Sequence, residues 1–483
     1  MALPARTLFK DGKISTFARE TLLRSLKFTG FVNCSNVRKT NVWPDMDHPF
    51  MLAFAVNDQP CLTDSFWFIC PQADFNVNRV GELRIDSNSA HVVTIEEAIN
   101  DAWLLKTMTI GTSLDVSVAK KLVKSESIPI DEYWNDTLGL VSRKGYVVSS
   151  KRPPSDASLL KGMPDVGKAS ELKRRFTIEV SECDPFARAT LDETRIVNKK
   201  GEDPLQVYRG PLLLIRKSLP TDRKKGSALL CTEDVVFNQS FYGYSAKGHA
   251  NADLLIRYFH LFVHSQVWPY YLLCTSPSLG VERPVFLKSD FDACRIVPFE
   301  NLNAAQHAQI GSLSKRLSAE DESVFDEIDK FFVRTFDLDD RDAEVISDTL
   351  TVRNPHDELG KRGSEPASLP EAQRFIKRIR ELLRPFAKRI DVSLEVKFVD
   401  ATDAVFPFVE IVDRASELSS SSVISESTLE LASKTGASRI IHFDNGRLLI
   451  GLLNQYRYWT PSRARLLAAD VLREYFSAFE GVQ

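Results

Sequence analysis

Apolar residues at Leu254, Leu255, Tyr258, Leu261, Phe262, Val267 and Tyr271 recur close to every 3.6 positions, and predict a helix buried on most sides from about Ala252 to Cys274. Ser276-Pro277-Ser278-Leu279-Gly280 then supplies a loop, and Val281 to Lys288 reads as a short extended segment. A membrane span is not expected here, because Arg257, His260, His264, Gln266 and Pro269 would be costly in lipid.

Towards the N-terminus, Phe17, Leu22, Leu23 and Leu26 predict a helix that Ser15 or Thr16 could cap. Phe28 to Cys34, Phe50 to Val56 and Ser65 to Cys70 read as strands, the first two forming a hairpin. Short helices are expected between Val92 and Asn135. Thr94 stands three residues before Glu97 there, as a capping box requires, and Val116 to Val123 keeps helical spacing. Strand patterns occupy Phe176 to Val180, Leu212 to Ile215, Ala228 to Cys231 and Val235 to Tyr244.

After the linker-like Gly360 to Pro370, Glu371 to Lys388 is an amphipathic basic helix interrupted at Pro385. Strands follow at Val392 to Val399 and Phe406 to Val412. Beyond the Ser-rich stretch Ser416 to Ser422 come a helix near Thr428 to Thr435, strands at Ser438 to Phe443 and Arg447 to Leu453, and a last helix over Ser462 to Phe479. Thr460 and Pro461 form its cap and first turn.

A chain of 483 residues exceeds one ordinary core, so a multidomain α/β and α+β protein is expected. The seven cysteines are odd in number and contain no C-x-x-C pair, which argues against a disulfide framework and a zinc site, and for a reducing compartment. Met1 to Lys13 lacks an apolar run of signal-peptide length, so a cytoplasmic protein without membrane attachment is expected.

The net charge of −3 is unevenly spread. Gly139 to Lys225 holds 19 Lys and Arg against 11 Asp and Glu, whereas Ala319 to Leu350 holds twelve acids and three bases along a helical stripe of Val324, Ile328, Phe331, Phe332 and Phe336. The basic stretch is either solvated surface or a phosphate-facing one; the acidic stretch is most simply a solvated helical face.

Three blocks carry a resemblance to a known family. LPARTLFKDGKISTFARETLL, FVNCSNVR and HPFMLAFAVND resemble the end of the catalytic domain of adenine-specific (N-6) DNA methyltransferases. Gly210 to Lys217 with Val235 to Tyr244 resembles the core strands of that family's target-recognition domain. The helix ending in Ser265-Gln266, followed by Tyr270-Tyr271, Thr275-Ser276, Gly280 and Arg283, resembles the unit that closes it.

The resemblance implies the tail end of a Rossmann-like methyltransferase sheet at residues 1–90, a mixed target-recognition region at 91–318, an acidic helical connector at 319–370 and a small α/β domain at 371–483. It also implies S-adenosylmethionine as the cofactor of a complete enzyme, of restriction-modification or phage-defence type. The family's glycine-rich turn and Asn/Asp-Pro-Pro-aromatic tetrapeptide are missing: Asp184-Pro185-Phe186 and Asn354-Pro355-His356 each have one proline where two are needed. No catalytic or cofactor-binding residue is therefore carried over. The expected partners are double-stranded DNA and a chain or upstream segment bearing the catalytic half, which would also cover an apolar sheet face that water should not see. The alternative is a non-catalytic DNA-binding or scaffold protein of a defence complex.

Reading DNA needs cations for phosphates and side chains that reach base edges. Arg216, Lys217, Arg223, Lys224, Lys225, Asn238, Gln239 and Arg283 are the candidates, and Tyr242 and Tyr244, with Phe241, are either stacking residues or sheet core. Three other chemistries are outweighed by structural readings. His260 and His264 share a helical face, but Leu261 stands where a zinc protease has its Glu. Asp391 with Glu395 and Lys397 has the composition of a magnesium nuclease site, yet strand alternation already places Glu395 and Lys397 on a wet face. Tyr456 to Thr460 is a candidate stacking platform that precedes a helix start.

Overall fold

The computed structural model describes residues 1–9, 13–149, 160–167, 172, 175–186, 194–196, 205–281, 284–353, 361–399, 406–413, 437–444 and 446–480. The chain is mixed α/β with several sheets and forms two compact units, one of residues 1–116, 280–282 and 341–483, the other of 117–279 and 283–340. Residues 319–370 are shared between the two units.

The first unit opens with β1 (Ala2–Pro4), α1 (Lys13–Ser25), β2 (Lys27–Asn33), β3 (Phe50–Val56), β4 (Ser65–Ile69) and β5 (Ala90–Thr94). Their order is β1-β3-β2-β4-β5, with β2 and β4 parallel and the other pairs antiparallel. The period of two puts Phe66, Phe68, Val93, Met51 and Ala53 on one buried face, where Leu23 of α1 and Ile95 and Ala98 of α2 (Ile95–Asn100) join them. Helix α1 begins at or before Lys13, so neither Ser15 nor Thr16 is its cap; both lie inside it. Thr94 does cap α2, its hydroxyl accepting from Glu97 N at 3.2 Å while the Glu97 carboxylate accepts from Thr94 N at 3.0 Å. Helices α3 (Ala102–Ile110) and α4 (Ser113–Lys124) follow.

The second unit is built on β6 (Val141–Lys144), β7 (Leu212–Arg216), β8 (Ala228–Cys231) and β9 (Phe241–Ser245), an antiparallel sheet ordered β8-β7-β9-β6. Two expected strands shrink. Phe176 to Val180 makes a single bridge, Thr177 to Leu230, and Val235 to Ser240 is a loop because the Asn238 carboxamide closes a turn onto Ser240.

The long helix expected from Ala252 is two, α5 (Ala252–Phe262) and α6 (Val267–Thr275). Ser265 Oγ donates to Phe262 O at 2.7 Å, taking a carbonyl that a continuing helix would use. Pro269 falls in the first turn of α6, where no backbone donor is required. Both helices are buried as expected. His264 Nε2 accepts from Ser227 N at 3.0 Å, so the ring's proton sits on Nδ1 and bonds His260 O at 2.7 Å. Burial lowers the His264 pKa to about 4, and among the described residues no group of His, Cys, Asp and Glu could hold a metal. Helices α7 (Ala304–Ser318) and α8 (Val324–Thr335) complete the unit.

The chain continues through α9 (Asp340–Val352) and α10 (Leu369–Arg389) to a second sheet of the first unit: β10 (Leu394–Val399), β11 (Phe408–Asp413), β12 (Arg439–Asp444) and β13 (Arg447–Leu452). It is antiparallel throughout, ordered β10-β11-β13-β12, and shares a core with α10 and α11 (Pro461–Glu474). The helix expected near Thr428 lies outside the described residues.

Thr460 caps α11, accepting from Arg463 N at 3.3 Å. The segment before it is no stacking platform: Tyr456, Arg457, Tyr458 and Trp459 are buried. Arg457 donates to Ala73 O and to Gln455, whose amide reaches Asp74 at 3.1 Å, and Asp74 in turn pairs with Arg84 at 2.7 Å. That polar chain ties residues 73–84 to 455–457. Glu395 and Lys397 pair with each other at 3.1 Å on the wet side of β10.

Candidate nucleic-acid interface

Ten residues are candidates to face DNA, Tyr242 and Tyr244 with sheet core as the alternative, and the structure sorts them by burial. Arg216, the last residue of β7, is 8% exposed and donates to Leu172 O; burial lowers its pKa. This corrects the expectation that every charged candidate is at the surface. The side chain starts at a sheet residue flanked on both sides by other strands, so it cannot leave the packed layer.

Asn238 is also buried. Its amide donates to Gly167 O at 2.8 Å and its oxygen accepts from Ser240 N at 2.8 Å and from the Ser240 hydroxyl, and a side chain so buried does not present its amide to a base edge. Tyr242 and Tyr244 are core residues: one hydroxyl donates to Phe286 O at 3.1 Å, the other to the Asp292 carboxylate, and neither ring can stack on a base. Phe241 is fully buried as well. Arg283 lies outside the described residues.

Arg223, Lys224 and Lys225 form one exposed turn, begun by Asp222, whose carboxylate accepts from Lys224 N at 3.0 Å. The acidic start of α8 neutralises most of it. Arg223 pairs with Asp329 at 2.5 Å and lies 4.7 Å from the Phe325 ring centre, while Lys224 pairs with Glu322. Asp329 also accepts from Gln266 N at 2.8 Å at the start of α6, so the Arg223 pair is a structural staple. Among the described residues Lys225 reaches Thr221 Oγ1, at 2.9 Å, and no carboxylate. Two cations of the basic stretch therefore face the acidic one.

What remains gathers at one end of the second unit's sheet. Tyr242 is opposite Ile215 on one side and Lys144 on the other, so Lys144 and Tyr242 share a face. Lys217, two residues beyond Ile215, returns to that face with its ammonium 5.7 Å from the Tyr242 ring centre. Lys217 N donates to Ser240 O at 3.3 Å and Gln239 N to Tyr146 O at 2.8 Å, which brings the exposed Gln239 to the same end. Gly145 permits this close seam, since a β-carbon there would meet Phe237 O at 2.2 Å.

Burial lowers the Lys217 pKa, and the Lys144 charge lowers it further. Among the described residues neither lysine has a carboxylate partner, in contrast to Lys288, which Asp292 neutralises at 2.7 Å. Sequence reasoning missed Lys144. Its only signal was membership of the basic stretch, because strand register, not spacing along the chain, sets it beside Lys217.

Among the described residues, Asp184-Pro185-Phe186 does not form a pocket for a flipped adenine. Asp184 and Pro185 pair with Asp165 and Pro164 in a two-residue ladder, and Phe186 is buried edge-on against Tyr146, ring centres 5.2 Å apart. Asn354-Pro355-His356 lies outside the described residues. No methyl-transfer step is assigned to this chain.

No protein-family model matches the chain, and no curated protein does. Among solved structures, the type IIG restriction endonuclease BpuSI aligns with 74% of this chain at 10% identity and a TM-score of 0.29, and the chain spans 47% of that enzyme's length. So low a TM-score carries no argument about fold or activity. Among the described residues no helix is long and apolar enough to cross a membrane.

Proposed function

We propose that this chain is a DNA-recognition component of restriction-modification type, the recognition part of an N-6 adenine DNA methyltransferase whose S-adenosylmethionine-binding half is supplied elsewhere. The observation that carries the DNA reading is the pair Lys144 and Lys217, held on one face at one sheet end to either side of Tyr242, with no carboxylate partner among the described residues. Two like charges so placed cost free energy until an anion bridges them, and a phosphate backbone is such an anion. Gln239, exposed beside them, has the amide that can read a base edge in the major groove. The order of the three resembling blocks supports the methyltransferase half of the proposal.

Two measurements separate this from a scaffold without methyl-transfer function. Gln239→Ala should change the order of preference among duplexes while leaving the salt dependence nearly intact, since an amide neutralises no phosphate. A co-purifying or neighbouring chain should carry the glycine-rich turn and the double-proline motif, and the pair together should methylate adenine. If the mutant keeps the parent's preferences and no such chain is found, the scaffold reading stands.

A further inference from the structure

One face of the N-terminal sheet is packed, and the other is exposed along one row and partly covered in the next, where Val32 and Leu52 pack with Trp43 and Leu83. Across four neighbouring strands, Phe54, Gly30, Trp67 and Val92 stand in register as one row. Phe54 is 53% exposed, Trp67 52% and Val92 56%, with the 49%-exposed Val56 one step along the same face. Leu52, Val32, Ile69 and Ala90 form the next row, half-buried.

We infer that this face is the docking surface for one amphipathic α-helix of another polypeptide, with basic residues at one end of its apolar stripe. Size favours a single helix. If a whole aromatic side chain offers about 150–250 Å², the exposed parts of these four residues come to roughly 300–400 Å². A stable dimer needs about 800 Å² per partner, so a second copy of this chain fits the patch poorly.

Charge sets the direction. Asp58, Asp64 and Glu96 lie where β3 ends, β4 begins and β5 ends, and Lys27, at the start of β2, pairs with Asp64 at 3.3 Å. A helix laid along the strands would meet apolar side chains in its middle and carboxylates at that end. This surface does not depend on what the other unit binds.

The test uses the full chain and two labelled helical peptides of about eighteen residues, one with a Leu stripe and Lys elsewhere, one with the same stripe and Glu elsewhere. The Lys peptide should bind, and Phe54→Ser with Trp67→Ser should weaken it at least about ten-fold. That double variant should keep its melting temperature, because both residues are half exposed. Asp58→Asn with Glu96→Gln should narrow the preference for the Lys peptide. Equal binding by the Phe54/Trp67 variant, or equal affinity for both peptides, overturns the inference. So does a concentration-dependent dimer in sedimentation that the Phe54/Trp67 variant abolishes, since the occupant would then be a second copy.

Discussion

Asp348 offers a stability prediction whose sign and size both follow from its surroundings. It lies on α9 and accepts a hydrogen bond from Ser462 N at 2.7 Å, beside a narrow cleft lined by Asp115, Arg353, Arg457 and Arg463. Burial pushes its pKa up to about 6 from a usual 3.8, and Glu344 adds to the rise, so the hydrogen bonds from Ser462 and Thr460 offset only some of the burial. The folded chain therefore holds this proton more tightly than the unfolded chain. The stability Asp348 contributes is fully present below about pH 4 and is lost as pH rises through about 6.

At about 1.4 kcal/mol per unit, the ionised group costs roughly 3 kcal/mol at pH 7.5, an upper bound because the buried surroundings relax. Asp348→Asn keeps an oxygen for Ser462 N and never ionises. It should be more stable than the parent by about 1–3 kcal/mol at pH 7.5 and by only about a third of that at pH 4.5, measured by urea unfolding at both values. A difference that stays the same at the two pH values would show that Asp348 does not titrate in this range.

Leu261→Asp should unfold the second unit, because an unpaired carboxylate would enter a fully buried position; unchanged melting would place α5 at the surface. Tyr244→Phe should cost about 1–3 kcal/mol, since the Asp292 carboxylate loses a buried donor, and should leave duplex affinity untouched in a binding titration. A double-mutant cycle on Lys224 and Glu322 should give no coupling resolvable from zero at physiological salt, both being half exposed; a clear coupling would make the turn more than surface. The chain alone, incubated with labelled S-adenosylmethionine and duplex DNA, should incorporate no label above background.

How far sequence alone reveals these features depends on how local each cause is. The Thr94–Glu97 capping box was legible because four consecutive residues contain both halves of it. The break between α5 and α6 was half legible: Pro269 and Ser265 were in view, but an unbroken apolar stripe outweighed them. Asn238-Gln239-Ser240 carries a turn signal that the alternation around it concealed. The burial of Arg216 was not legible, since it depends on the strands placed on both sides of β7. Charge counts showed a basic stretch and an acidic one, yet whether Arg223 faces DNA or Asp329 is decided by a contact across more than a hundred residues of chain. For the same reason Lys144 went unnoticed beside Lys217.

Lys144 and Lys217 are also where the proposed function is most directly tested. Lys144→Ser and Lys217→Ser together, in a chain shown to be folded, should weaken duplex binding on every sequence. The slope of log affinity against log salt should fall in magnitude by about two, close to one for each phosphate no longer neutralised. If the double variant binds duplex DNA as tightly as the parent and with the same slope from low to physiological salt, this sheet end does not hold DNA and the proposed function fails with it.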